Sequence, residues 1–171
     1  LDIQDGKALV ISQYALDCQP YHSGPPKNVT WETCFLRKWL NNDFMIEAFT
    51  EEEQRKIPIV TVTADENPDY NTDPGNDTQD RIFLLSVAEV YRYDLEGECA
   101  ATDYASANGM HQAGSWWWLR TPGRDQSYVA SSDYYGVSTD GAADGVYGLF
   151  TTHSGWYCGV VRPAMWVSLE G

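Results

Sequence analysis

Trp116-Trp117-Trp118-Leu119-Arg120-Thr121-Pro122-Gly123 and Gly159-Val160-Val161-Arg162-Pro163-Ala164-Met165-Trp166 are the two stretches that decide how this chain is read. Both are aromatic or β-branched, both carry an Arg followed within two residues by Pro, and both predict buried framework strands. Between them lies a run dominated by Gly, Ser, Tyr, Asp, Ala and Thr, which predicts short strands and turns with exposed side chains. The β-type segments fall at 116–119, 128–130, 134–138, 146–150 and 160–167.

Upstream the pattern changes. Ala8-Leu9-Val10-Ile11 is an apolar run that reads as a buried strand, within a strand from Lys7 to Ser12. Before it, Leu1 to Gly6 reads as the end of a strand and a turn, with that first strand cut short. Residues 20–28 are a Pro/Gly/Ser loop. Thr33 is placed to cap a helix with Leu36, Trp39, Leu40 and Phe44 on one face, ended by Asn41-Asn42. Thr50-Glu51-Glu52-Glu53 is a capping box for a short helix stopped by Pro58. Ile59 to Thr63 alternates as a strand, and residues 65–80 form a polar loop. Ile82-Phe83-Leu84-Leu85 is a second buried strand, followed by the capping box Ser86-Val87-Ala88-Glu89. Thr102 caps a small helix that Gly109 terminates. Short helices followed by a compact antiparallel β region make an α+β fold, in one domain over residues 1–171.

The totals exclude several classes. The chain has 25 acidic against 11 basic residues in 171, a net charge of -14, and shows no Lys/Arg stripe. Nucleic acid and anionic membranes are therefore not expected partners. No apolar run reaches the ~18 residues of a bilayer span, and the start lacks the basic head and apolar stretch of a signal peptide. Aromatic content of 13% with seven Trp predicts a core built largely from rings.

Catalytic chemistry does not show itself. His22, His111 and His153 are scattered in loops, and no Ser or Cys lies in a nucleophile elbow. Cys18, Cys34, Cys99 and Cys158 form no CxxC pair, and free thiols are expected at all four rather than disulfides. Asp65-x-Asn67-x-Asp69-x-Asn71 resembles the start of a calcium loop. Tyr70 stands where the sixth-position Gly belongs and Asn76 where the terminal acid belongs, so a solvated turn-rich loop is expected. We expect no metal, no cofactor and no enzymatic activity.

Residues 127–155 are more informative. Tyr128, Tyr134, Tyr135, Tyr147, Phe150 and His153 sit among Ser, Gly, Asp, Ala and Thr, without Lys, Arg, Glu, Gln, Met or Trp. Rigid amphipathic rings among small residues are the composition of a paratope. An ordinary hairpin-rich β region has much the same composition, and both readings stand on the residues alone.

Several spaced motifs carry a resemblance. They are Trp31-Glu32-Thr33 leading to Leu36-Arg37-Lys38-Trp39-Leu40-Asn41, Ala48-Phe49-Thr50-Glu51-Glu52-Glu53, and Asp80-Arg81-Ile82-Phe83-Leu84-Leu85-Ser86 with Glu89. Thr102-Asp103-Tyr104-Ala105, Trp117-Trp118-Leu119-Arg120-Thr121-Pro122-Gly123 and Val161-Arg162-Pro163-Ala164 complete the set. In this order they resemble an uncharacterised prokaryotic family of C-type-lectin-like domains found in bacterial surface proteins. Similar domains serve as variable proteins of diversity-generating retroelements, in which adenine mutagenesis of AAC or AAT codons diversifies a C-terminal region. Every residue from Ser127 to Gly155 is reachable from such codons, as are Tyr157 and Cys158, while Trp156 has to be fixed.

The resemblance implies a C-type-lectin-like display domain on a cell or virion surface. Its face over residues 127–157 would contact a protein or glycan on another cell or particle. The expected contact residues are Tyr128, Asp133, Tyr134, Tyr135, Asp140, Asp144, Tyr147, His153, Trp156 and Tyr157. Trp117, Trp118, Leu119, Val161 and Trp166 are expected to be framework, with Arg120 and Arg162 tying loops to carboxylates or carbonyls. The alternatives are a structural or adhesion module of a larger surface protein and an enzyme similar to the formylglycine-generating group, which needs a reactive cysteine.

Overall fold

The structure, a computed structural model, describes residues 1–22, 29–108, 116–142 and 159–169. The opening hairpin joins β1 (Asp2–Gln4) to β2 (Lys7–Ile11) through Asp5 and Gly6, both at positive φ, 47° and 71°. That backbone twist matches paired strands. A two-residue strand, β3 (Asp17–Cys18), follows.

The first helical stretch runs through α1 (Phe35–Trp39), a π-helical turn (Leu40–Phe44) and α2 (Met45–Ala48), burying Leu36, Leu40, Phe44 and Met45. Two sequence expectations are corrected here. Cys34, not Thr33, is the cap: its sulfur accepts from Arg37 N–H at 3.3 Å and donates to the Trp31 carbonyl at 3.4 Å. Thr33 instead bonds back to Thr30. Nor do Asn41 and Asn42 end the helix. Their amides donate to the Arg37 and Lys38 carbonyls one turn earlier. Asn41 also reaches across to Ile82, donating to its carbonyl and accepting from the Arg81 and Ile82 amides. The helix widens where this bridging side chain sits.

Both capping boxes form as expected, Thr50 with Glu53 on α3 (Glu51–Lys56) and Ser86 with Glu89 on α4 (Val87–Arg92). Between them lie β4 (Val60–Val62), β5 (Thr78–Asp80) and β6 (Ile82–Phe83); β4 and β5 pair with each other. Thr102 caps α5 (Asp103–Ala107) as expected. Gly109 lies outside the described residues.

The later strands are β7 (Trp117–Pro122), β8 (Val129–Asp133), β9 (Gly136–Ala142), β10 (Val160–Val161) and β11 (Ala164–Ser168). The expected strand over 134–138 is corrected: Tyr134 and Tyr135 form the turn, and the strand begins at Gly136. The expected strand at 146–150 lies outside the described residues. The 160–167 strand is broken at Arg162-Pro163, because its two halves join different sheets. One antiparallel sheet has the order β1-β2-β11-β6, so strands from the two ends of the described chain lie side by side. The other has the order β3-β10-β7-β8-β9, with β10 parallel to β7 and the remaining pairs antiparallel. Short helices and several largely antiparallel sheets make the architecture α+β.

The core joins both sheets to the helices and is rich in rings. Trp117 and Trp118 are fully buried, and each satisfies its indole N–H, on the Gly97 carbonyl at 2.8 Å and the Gln19 carbonyl at 3.0 Å. Tyr21 packs between Trp31 and Trp118, and Trp116 meets Trp118 edge-on. Trp31 donates to the buried Asp80 carboxylate, which also takes Arg37 and Thr78. Buried polar groups of this kind are tolerated because they are paired.

Arg120 is buried on β7. Its guanidinium donates to the Thr63 and Leu84 carbonyls at 3.2 and 3.0 Å, to Asp65 at 2.9 Å, and to Glu89. Arg162 donates to the Ser12 carbonyl at 2.9 Å and lies over the Trp117 ring. Both arginines therefore tie loops as expected.

The expectation of four free thiols is corrected at Cys18, which is disulfide-bonded, whereas Cys34 and Cys99 are free and buried. Cys158 lies outside the described residues. Cysteine spacing carried no signal for this, because bridging depends on the distance across the fold.

Two outcomes follow. Arg120→Met should lower unfolding free energy by about 3 kcal/mol in guanidinium titrations, the low end for a broken buried network, since Glu89 and Asp65 keep 27% and 29% exposure. Burial pushes the Cys34 thiol up to about 12, against smaller opposing effects of its hydrogen bonds. At pH 8 almost no thiolate is present there, so iodoacetamide should modify Cys34 only after unfolding. Native-state alkylation at the unfolded rate would contradict its burial.

Candidate functional site

The candidate face is built on the β8–β9 hairpin. Val129, Ala130, Ser131 and Ser132 are buried, so the hairpin's base belongs to the core. Ser132 fixes the hairpin to the preceding loop: its hydroxyl donates to the Gly97 carbonyl and accepts the Gly97 amide, both at 3.0 Å. Register then runs Ser131↔Ser138, Ser132↔Val137 and Asp133↔Gly136, which puts Tyr134 and Tyr135 at the tip. The Asp133 carboxylate accepts the Tyr135 amide at 2.7 Å, and Gly136 supplies the positive φ, 112°, that closes the turn.

The two rings at the tip are 74% and 93% exposed and meet edge to face, centroids 5.2 Å apart. Large rings left in water on a braced turn, with little chain freedom left to lose, suit intermolecular contact.

The remaining expected contact residues divide. Tyr128 is half-buried, with the Arg124 guanidinium 3.8 Å above its ring. Asp133 braces the turn. Asp140 is exposed, and its carboxylate accepts from the Ser138 hydroxyl and the Gly141 amide. Asp144, Tyr147, His153, Trp156 and Tyr157 lie outside the described residues. Tyr128, Asp133, Tyr134, Tyr135 and Asp140 thus share one hairpin and the loop that enters it.

Sequence reasoning missed the neighbours that hold this face. Residues 123–128 lie against β9, with Arg124 N–H on the Asp140 carbonyl at 3.0 Å and Gly123 N–H on the Tyr128 carbonyl at 2.8 Å. In that loop Ser127 donates from its hydroxyl and its amide to Asp125 and holds the carboxyl below its usual range. The Arg124 to Tyr128 spacing was the available signal, but spacing of four outside a helix predicts no stacking.

The polar loop 65–77 is clamped onto the same end of the sheet. The Asn67 amide donates to the Pro122 and Thr139 carbonyls at 2.7 and 2.8 Å, and its oxygen accepts the Asp69 and Tyr70 amides. Thr72 donates to the Gly123 carbonyl, and Thr139 to Asp69. The alternating Asp65, Asn67, Asp69 and Asn71 do not converge as a calcium loop would. Asp65 serves Arg120, and both faces of the Asn67 amide are used internally. Among the described residues no three His, Cys, Asp or Glu side chains gather where a metal could bind. A cavity of about 500 Å³ opens within residues 66–74.

Three cysteines lie among the described residues. Burial raises both Cys34 and Cys99, and Cys18 is bridged.

Gly141 sets the hairpin's rear. Its φ is 83°, and a Cβ there would lie 2.4 Å from the Val129 carbonyl oxygen. Gly141→Ala should cost about 1–3 kcal/mol in thermal or chemical denaturation. A neutral effect would mean that β9 is free to slide on β8.

Comparison with known proteins adds one match. No curated protein and no solved structure matches the chain. A family model described as a domain of unknown function, DUF6273, matches residues 5–169. With nearly its whole length covered, the chain belongs to the DUF6273 family.

Proposed function

We propose that this chain is a ligand-binding display domain with a C-type-lectin-like fold, whose face over residues 127–157 recognises a protein or glycan on another cell or particle. The observation that carries the reading is the exposed pair Tyr134 and Tyr135 on a hairpin whose base is buried. Core and contact surface are separate there, so the rings can change while the fold stands. The tip is convex, which favours a protein partner with a recess over a flat glycan. Retroelement diversification is supported separately by composition: every residue from Ser127 to Gly155 is reachable from AAC or AAT codons, the buried Val129 to Ser132 as much as the exposed tip.

The test is a protein and glycan array probed with the wild type and with Tyr134→Ser/Tyr135→Ser. The variant should lose the wild type's hits while its unfolding free energy stays within about 0.5 kcal/mol, as for surface substitutions. Unchanged hits, or a collapse in stability, would overturn the assignment of these rings. For diversification, the encoding genome should carry a near-copy of the DNA for residues 120–165, differing only at adenines, beside a reverse-transcriptase gene.

A further inference from the structure

Cys18 is disulfide-bonded, and its partner follows from the other cysteines. The chain holds four, Cys18, Cys34, Cys99 and Cys158. Cys34 and Cys99 are free and buried, and the Cys34 sulfur is already used to cap α1. A bridge to another molecule does not suit Cys18, which is 6% exposed on a strand paired with β10. Cys158 alone is left.

The fold brings the neighbours of these two residues together. Cys18 stands opposite Val160 in the antiparallel β3–β10 pair, which sets their Cα atoms about 4.5–5.5 Å apart. Two residues of chain span up to about 7 Å from Val160 to Cys158. A disulfide asks for about 4.4–6.8 Å between Cα atoms, which is within that reach. The Trp118 indole nitrogen marks the place: it donates to the Gln19 carbonyl, and a Cβ added at Gly159 would collide with it. Residues 19 and 159, each one step from a cysteine, thus meet on a single atom.

We infer that Cys18 is bridged to Cys158, and that the domain reaches its full stability only under oxidising conditions, with this bond formed. The bond joins β3, two residues long and at the edge of its sheet, to the chain entering β10. It closes most of the chain into one loop, which restricts the unfolded ensemble. Its formation removes both thiol protons and passes two electrons to a disulfide oxidant such as oxidised glutathione, which leaves as two thiols. Such bonds persist outside the reducing cytoplasm, in keeping with the surface display proposed above. Resting on the reading of residues 127–157 as a contact face, the bridge also anchors that face one residue beyond its end.

The experiment uses the full chain after incubation with oxidised glutathione, denatured with and without dithiothreitol, alkylated, digested and analysed by mass spectrometry. Without reductant, one linked peptide pair should hold Cys18 and Cys158, while Cys34 and Cys99 carry the alkyl label. With dithiothreitol the pair should split and all four should be labelled. Dithiothreitol should also lower the Tm by about 5–15 °C. Cys18→Ala/Cys158→Ala should melt at that lower temperature and no longer respond to reductant, and Cys158→Ala alone should match it, because the bond needs both sulfurs.

The inference is overturned by Cys18 linked to Cys34, to Cys99, to glutathione or to a second chain, or by Cys18 and Cys158 both alkylated without reduction. An unchanged Tm in reduced wild type, or an equal reductant response in the double variant, overturns the redox dependence. Should the variants fail to fold, the peptide map and the melting of the wild type still decide. None of these readouts uses a ligand, so the bridge and the contact role of Tyr134 and Tyr135 fail separately.

Discussion

The ion pairs made by Arg120 are the constraint on which the rest of the structure leans. One planar cation in the middle of β7 reaches the end of β4, the start of the polar loop, the residue pair after β6 and the cap of α4. Its Glu89 partner closes the capping box of α4 with the same Oε2 that receives the guanidinium. The helix start and the central strand are thus positioned by one carboxylate. A lysine could not replace this hub, because its single ammonium lacks the planar fork that serves several directions at once.

From that hub the candidate surface is built outward in stages. β7 carries β8, β8 carries β9, and the polar loop is pinned to Pro122, Gly123 and Thr139 along the way. Each stage gives less of its surface to the core. Trp117 to Leu119 are fully buried, Val129 to Ser132 still buried, and Tyr134 and Tyr135 stand in water. A gradient of this kind lets the outermost residues be chosen for contact, since little of the folding energy rests on them.

Local chemistry was legible in the sequence, and long-range chemistry was not. The boxes at Thr50 and Ser86 and the cap at Thr102 need only residues three positions away, so they could be read directly. The buried roles of Trp117, Trp118 and Val161 followed from apolar runs. Asn41 reads as a terminator in the sequence because its partner, Ile82, is forty-one residues distant. Thr33 reads as the cap because hydroxyls cap helices far more often than thiols, whereas Cys34 holds that position in the fold. At the candidate face, β propensity alone puts Tyr134 and Tyr135 in a strand, whereas Asp133 and Gly136 supply the turn chemistry around them. The cavity within residues 66–74 had no sequence signature, since the loop's shape depends on its distant anchors at Pro122, Gly123 and Thr139.

The sheet that sets β2 between β1 and β11 has a mechanical consequence. Residue 1 lies at the Leu9–Val10 end of β2, whereas residue 169 lies at its Gly6 end. Tension applied between these points pulls β1 and β11 in opposite directions along the strand axes. The backbone hydrogen bonds on both sides of β2 are then loaded together in shear, rather than peeled one at a time. A domain strung between two pulling attachments would resist extension through this sheet, leaving the candidate binding hairpin in the other sheet off the line of force.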